Sequence, residues 1–128
     1  MPKDLLRLRT RAASIQSFRC IYCHLPVWTG DPQPFMQRFH LTLREARALQ
    51  CTAEHLLARC DGGKDSNDNI AAACLHCNRT RHQRTKPLDP LAYQSLVQQR
   101  LSRGAWHPRS ITSKVAVAPN LPPAKAGR

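Results

Sequence analysis

Residues 51–84, CTAEHLLARCDGGKDSNDNIAAACLHCNRTRHQR, carry the strongest indication of the fold. An apolar stretch around Leu56 is followed by two glycines and a polar run over residues 62–69, and then by a second apolar stretch over residues 70–73. This order predicts two short strands joined by a long turn. The polar segment 75–86 is compatible with a helix and ends before a proline. The pattern therefore predicts a strand–turn–strand–helix unit, which is an α+β arrangement.

The sequence on either side predicts further helices. Thr42 and Glu45 have the spacing of a capping box, which predicts a helix over residues 42–50. Residues 90–101 suit another helix. The prolines and the glycine of residues 25–37 predict a loop.

Composition divides the chain into three regions. Residues 1–17 form a basic N-terminal arm with a sequence compatible with a helix. Residues 18–104 form the predicted domain. Residues 105–128 form a basic, proline-rich tail, and because residues 107–128 contain four prolines, four basic residues and no acid, the tail is predicted to be disordered.

The charge of the chain points to a polyanionic partner. The 128 residues include 20 Lys and Arg against 8 Asp and Glu, which gives a formal net charge of +12. A small domain of this charge favours nucleic acid as the partner, with an anionic membrane second. A basic surface that serves only solubility is the plain alternative.

The sequence also indicates a compartment. No apolar run approaches the length of a membrane span, and the first 17 residues lack the apolar segment of a secretory signal. We therefore expect a cytoplasmic protein. In a reducing compartment its six cysteines are more suited to binding metal than to forming disulfides.

Four of the cysteines form two C-x2-C pairs: Cys20, Cys23, Cys74 and Cys77. Four thiolates on two such knuckles match the tetrahedral coordination of a structural zinc ion, which would join the start of the domain to its middle. The other two cysteines, Cys51 and Cys60, are interpreted as buried thiols, although an alternative zinc set that includes them stays open. His24 and His76 lie beside the knuckles and are alternative ligands or surface residues near the metal.

The residues between and after the knuckles offer the chemistry of phosphodiester cleavage. This reaction needs a proton acceptor for the attacking water and a cation that balances charge on the phosphate. His55 can take the proton, and Glu54, Asn78 and His82 can hold a divalent cation. Asn78 and His82 share a helix face because they are four residues apart. Adjacent residues on a strand point to opposite sides, so how Glu54 and His55 would cooperate is left open.

In these residues the chain resembles the HNH endonucleases. The pattern of that family runs from a cysteine knuckle through an acid-His pair, a Gly-Gly turn and an Asn to a second knuckle that is followed at once by His or Asn. The matching residues here are Glu54, His55, Gly62, Gly63, Asn69, Cys74, Cys77 and Asn78. The resemblance covers about residues 20–84, and residue types, order and spacing agree together.

The resemblance implies a small ββα-metal core, also called a His-Me finger, with zinc knuckles and flanking helices. It implies that His55 is the general base and that Asn69 holds the hairpin loop and orients His55. Glu54 and Asn78 would ligate the catalytic metal, and His82 fits the place of a further ligand, with a surface or phosphate-contacting residue as the alternative. The products would carry 5′-phosphate and 3′-hydroxyl ends.

Two departures from the usual pattern bear on the choice of metal. Glu54 is longer than the commoner Asp, and Asn78 replaces the more usual final His, which makes this an H-N-N variant. A carboxylate and an amide oxygen suit Mg²⁺ or Mn²⁺. If His82 also binds, Mn²⁺, Ni²⁺ or Zn²⁺ becomes more competitive.

The segment after the second knuckle is strongly basic. It carries Arg79, Arg81, Arg84 and Lys86, and residues 75–86 include no acid. We expect this cluster to contact the DNA backbone next to the site of cleavage. A solvated helix face is the alternative. The few aromatic residues are scattered, so base stacking is not indicated.

The sequence therefore predicts a metal-dependent HNH endonuclease that hydrolyses DNA. One alternative is a zinc-stapled module that binds nucleic acid without cutting it. Another is a nuclease subunit of a phage packaging or recombination complex. The biological role, the target site and the oligomeric state have no indication in the sequence.

Overall fold

A two-stranded antiparallel sheet lies at the centre of the fold. The computed structural model describes residues 1–115. Strand β1 (Cys51–His55) pairs with β2 (Ile70–Cys74), with Cys51 opposite Cys74 and His55 opposite Ile70. The predicted pair of short strands with a long connection is thereby confirmed, as is the α+β class. Cys74 ends β2 and also caps the helix that follows, so the sheet leads directly into that helix.

Six α-helices surround this sheet within residues 1–115, and none of them is long and apolar enough to cross a membrane. In chain order they are α1 (Lys3–Ile15), α2 (Gln33–Phe39), α3 (Leu43–Ala48), α4 (Leu75–Arg81), α5 (Pro90–Ser102) and α6 (Arg109–Thr112). Fully buried side chains between the helices and the sheet include Tyr22, Leu25, Leu49 and Val97.

Helix α1 packs on the sheet instead of projecting as an arm. Leu5, Leu8 and Ala12 follow the spacing of one helix face and are buried. Just beyond the helix, the Gln16 side chain makes two hydrogen bonds to the backbone of Ala72, one donated at 2.9 Å and one accepted at 3.0 Å. The amide thereby satisfies the backbone of Ala72 on the open edge of β2. Lys3, Arg7 and Arg11 of α1 are exposed, whereas Arg9 is partly buried and its Nε lies in the interior.

The segments around α2 and α3 differ in how well local sequence predicts them. Thr42 and Glu45 form the predicted capping box, with Thr42 Oγ1 accepting from the Glu45 amide at 3.1 Å and Glu45 Oε1 accepting from the Thr42 amide at 2.9 Å. Helix α2, however, begins inside the stretch expected to be a loop. Its prolines lie at the start of the helix, where a missing N–H costs nothing, so they initiate α2.

The region predicted to be a disordered tail is partly ordered. Residues 105–115 pack against the domain and bury Trp106, Ile111 and Val115. Trp106 Nε1 donates to Cys77 Sγ at 3.2 Å. The prediction from residue 105 onward is therefore wrong for this part, because a few large apolar side chains anchor it despite its basic composition. Residues 116–128 lie outside the described residues.

Candidate active site and zinc site

The two cysteine knuckles meet in the interior. The sulfur atoms of Cys20, Cys23, Cys74 and Cys77 all lie within 4.8 Å of one another, and all four residues are fully buried. Cys23 Sγ and Cys74 Sγ are 3.8 Å apart. A tetrahedron with Zn–S bonds of about 2.3 Å has edges of about 3.8 Å. The donor set and its spacing therefore fit one zinc ion.

The backbone around the knuckles supports charged sulfur. The Tyr22 amide donates to Cys20 Sγ at 3.4 Å, and the Cys77 amide donates to Cys74 Sγ at 3.3 Å. Burial raises the pKa of Cys23, Cys74 and Cys77. Burial acts on Cys20 in the same direction, but hydrogen bonds from the other three thiols outweigh it and hold the pKa of Cys20 well below its ordinary value. A divalent cation would displace the remaining thiol protons.

The other cysteines and nearby histidines stand outside this cluster. Cys51 is buried in β1, as expected, and burial raises its pKa to about 12. Cys60 is exposed, so its interpretation as a buried thiol is wrong. His24 and His76 are partly buried and, within residues 1–115, neither contributes to the four-sulfur set.

Glu54 is fully buried and has three side-chain partners. Its Oε2 accepts hydrogen bonds from the Tyr22 hydroxyl at 2.8 Å and from Arg81 Nη1 at 3.2 Å. Its Oε1 lies 2.8 Å from His82 Nε2. Burial and the negative charge of Glu54 raise the pKa of Tyr22, so Tyr22 remains a donor. The packing of α4 on β1 thus brings His82 to Glu54.

Asn78 lies on α4 one turn before His82, and its side chain turns to the strand. Its Nδ2 donates to Thr52 Oγ1 at 2.9 Å and to the carbonyl oxygen of Ala53 at 3.3 Å. These bonds fix the plane of the amide and direct its carbonyl oxygen away from these strand acceptors. Glu54 and His82 are therefore in direct contact, whereas the Asn78 side chain is hydrogen-bonded to Thr52 and Ala53 of β1.

His55 belongs to a second cluster, at the end of β1. Its Nε2 lies 2.7 Å from Asp65 Oδ1, and Arg59 Nε lies 3.2 Å from the same nitrogen. Arg59 also binds both carboxylate oxygens of Asp65, at 3.0 and 2.7 Å. The hydrogen bond to His55, which outweighs the effect of burial, and the charge of Arg59 hold the pKa of Asp65 below its usual range. Asp65 is therefore a carboxylate at neutral pH.

Asn69 holds the loop that carries Asp65. Its Oδ1 accepts from the Leu57 amide at 2.8 Å, and its Nδ2 donates to the carbonyl oxygens of Leu57 and Lys64, each at 3.0 Å. Gly63 is required in the same loop, since a Cβ there would overlap the carbonyl oxygen of Leu57. Asn69 thus ties the backbone of Leu57, just after His55, to that of Lys64, just before Asp65.

The basic residues after the second knuckle occupy two different environments. Arg79, Arg84 and Lys86 are exposed. Arg81 is only 5% exposed and binds Glu54, the carbonyl oxygen of His55 at 3.1 Å and that of Leu56 at 3.1 Å. Arg81 therefore supports the end of β1 from within, in contrast to the role in DNA contact expected from its sequence cluster.

Sequence reasoning did not identify Tyr22, Arg59, Asp65 or the internal role of Arg81. Asp65 and Arg59 are separated from His55 by turn residues whose path depends on Asn69, so no local spacing indicates the contact. Tyr22 lies between two cysteines of the four-sulfur cluster, where its own contribution has no separate sequence pattern.

The comparisons with known proteins agree with this arrangement. A family model described as HNH endonuclease matches residues 20–84, which is just over half of the chain. Searches of curated proteins and of solved structures found no match. The matched segment begins at the first knuckle and ends just beyond His82, so it contains the four-sulfur set, both strands and α4. With these features in the order and pairing that the family pattern requires, the chain belongs to the HNH endonuclease family.

Proposed function

We propose that this protein is a divalent-metal-dependent endonuclease that hydrolyses phosphodiester bonds in DNA, with His55 as the general base. The observation that carries the proposal is the pair of clusters at one end of β1. In the first cluster the Glu54 carboxylate contacts the His82 imidazole. In the second the His55 imidazole contacts the Asp65 carboxylate. A protein that only binds nucleic acid has no need of either pair.

The residues around Glu54 fit a divalent cation. Tyr22 and Arg81 occupy Oε2, which orients the carboxylate and leaves Oε1 facing His82 Nε2. Glu54, His82 and the amide oxygen of Asn78 would hold the ion. Two oxygen ligands favour Mg²⁺ or Mn²⁺, and the imidazole makes Mn²⁺ or Ni²⁺ competitive. When bound, the ion would stabilise negative charge on the phosphate and on the leaving oxygen.

His55 would take the proton of the attacking water. Two contacts compete for Nε2: Arg59 Nε donates to it at 3.2 Å, which needs an unprotonated nitrogen, and the ionised Asp65, which can only accept, lies closer at 2.7 Å. The shorter contact favours the tautomer that carries the proton on Nε2. That tautomer leaves Nδ1 unprotonated as the accepting atom. Asp65 is then a positioning residue, because it acts through the orientation and tautomer of His55. Asn69 positions Asp65 in turn, since it binds the carbonyl oxygen of the preceding residue.

Replacing Asp65 by alanine is expected to lower the single-turnover cleavage rate by about 10–100-fold, the range found when the partner of a functional histidine is removed. Lys64→Ala, an exposed neighbour in the same loop, is the matched control and should cut like the parent. Nitrogen chemical shifts of the His55 ring should show a loss of the Nε2–H tautomer in Asp65→Ala only. Parent-like cleavage by Asp65→Ala would contradict the positioning role.

Replacing Asn78 by alanine is expected to weaken binding of the catalytic metal ion and to leave the function of His55 as the base largely unchanged. The concentration of Mg²⁺ needed for half-maximal cleavage should rise, and Mn²⁺, which binds the remaining imidazole more tightly, should restore part of the rate. Metal titrations of parent and variant provide the measurement. An unchanged metal requirement would remove Asn78 from the ligand set.

The proposal is tested by incubating a labelled DNA duplex with the zinc-loaded protein and Mg²⁺, Mn²⁺, Ni²⁺ or no added ion. We expect cleavage that depends on the added ion and leaves 5′-phosphate and 3′-hydroxyl ends. Glu54→Gln, which keeps the size of the side chain and removes its charge, should lose cleavage at the same zinc content. Cleavage without any added ion, or undiminished cleavage by Glu54→Gln, would contradict the proposal.

One observation favours the non-catalytic alternative. The guanidinium of Arg81 already neutralises Glu54 in the interior, and this reduces the attraction of the carboxylate for a cation. A zinc-stapled module that binds nucleic acid would give no cleavage with any metal while retaining affinity for DNA. The same duplex assay therefore separates the two functions.

A further inference from the structure

Helix α4 has two sides with different neighbours. Asn78, Arg81 and His82 point to β1 and form the active-site face described above. His76, Arg79 and Thr80 lie on the other side of the helix at 3.6 residues per turn, and Gln83 follows just beyond its C-terminal end. They face α3, and this second side contributes nothing to the candidate active site.

A groove runs between α3 and α4 on this second side. Its volume is about 440 Å³, and the polar side chains that line it are Arg44, Arg47, His76, Arg79, Thr80 and Gln83. Two of the arginines come from α3, three residues apart on one helix face, and the third comes from α4. The groove is therefore built by two elements, and its charge does not come from the basic cluster of α4 alone.

The three arginines of the groove are available to bind an anion. All three are exposed, and none of them forms an ion pair with an acid of residues 1–115. No acidic residue lines the groove. The nearest acid on α3 is Glu45, which is engaged by Thr42 and by Lys114 at 3.3 Å. Three unneutralised guanidinium groups in one concave surface form a strongly positive site.

We propose that this groove, which we call the α3–α4 groove, binds the phosphodiester backbone of the DNA substrate away from the bond that is cut. Guanidinium groups bind phosphate oxygens through paired hydrogen bonds. Thr80 and Gln83 add neutral donors of the kind that contact the DNA backbone. The groove is lined by no Phe, Tyr or Trp, and its one aromatic ring is the imidazole of His76, so the lining suits phosphate groups better than a row of stacked bases.

The dimensions of helix and duplex allow one DNA molecule to reach both faces of α4. A helix is about 10–12 Å across, and each strand of a duplex carries a phosphate about every 3.4 Å along the axis. Phosphates a few base pairs from the cleaved bond therefore come within reach of the groove. The inference rests on the proposed function only in taking DNA as the polyanion.

The test compares two double variants of equal charge. Arg44→Gln/Arg47→Gln removes two cations of the groove, and Arg11→Gln/Arg103→Gln removes two exposed cations elsewhere. Binding of a fluorescent duplex is measured by anisotropy at several salt concentrations, without added catalytic metal. The groove variant should bind about 10-fold more weakly, and its log–log salt slope should fall by about one unit for each lost contact. The control should change little.

The outcomes are distinct from those of the nuclease test, because binding is measured without cleavage. Equal weakening of both double variants would overturn the groove, since the effect would then follow net charge. Parent-like binding by the groove variant would also overturn it. The NMR signals of the His76 ring and of the three arginine side chains provide a second readout. The groove proposal would also be overturned if these signals shifted with inorganic phosphate but not with duplex. A specific loss of binding in a protein that never cuts would support the groove and contradict the proposed nuclease.

Discussion

Replacing His55 by alanine is expected to slow DNA cleavage by about 10²–10⁴-fold, the usual contribution of a general base. The metal lowers the pKa of water but does not accept its proton. Asp65 already binds Arg59 through both carboxylate oxygens, so it is not free to replace the imidazole. The rate is measured under single-turnover conditions on a labelled duplex.

The fold should survive the loss of His55. The side chain lies at the end of β1 and is 16% exposed, and removing it leaves the Arg59–Asp65 pair intact. Zinc content, circular dichroism and affinity for duplex should therefore match those of the parent. Lys64→Ala again serves as the control from the same region. A His55→Ala protein that cuts at the parental rate would show that the base is elsewhere.

Replacing Cys74 by serine is expected to unfold the domain. A structural zinc ion contributes about 10–16 kcal/mol of apparent binding free energy to folding at neutral pH. Cys74 also ends β2 and caps α4, and its sulfur accepts the Cys77 amide at 3.3 Å. Loss of this ligand therefore affects the sheet, the helix and both clusters at the active site.

Cys60→Ser is the matched control for Cys74→Ser, because Cys60 is exposed and outside the cluster. Zinc is measured in the purified proteins, and folding is followed by circular dichroism during heating. The control should keep one zinc ion and the parental melting temperature. Cys74→Ser should contain no zinc and should show no cooperative thermal transition. A Cys74→Ser protein that retains its zinc and its melting temperature would contradict a structural role for the ion.

Local sequence was sufficient where spacing alone determines the structure. The capping box of Thr42 and Glu45 and the two short strands follow from patterns within a few residues. The convergence of the four cysteines follows from the repeated C-x2-C motif. The proximity of His82 to Glu54 also followed from periodicity, since a helix face that packs on a strand brings these side chains together.

Sequence reasoning failed where long-range packing decides. Trp106 is buried although it follows a predicted domain boundary, because its ring packs beside the cysteine cluster. Arg81 was grouped with its basic neighbours, but the helix turns it inward to Glu54. The alternation of β1 places Glu54 in the interior and His55 towards Asp65, a partner that only the folded loop supplies.

The most direct test of the account is nicking of supercoiled plasmid by parent and His55→Ala proteins, purified in the same way and assayed together in Mn²⁺. The account predicts that the parent converts supercoiled plasmid to nicked or linear forms and that His55→Ala, with equal zinc content, does not. Equal nicking by the two proteins, or none by the parent in Mn²⁺, Mg²⁺ or Ni²⁺, would contradict it.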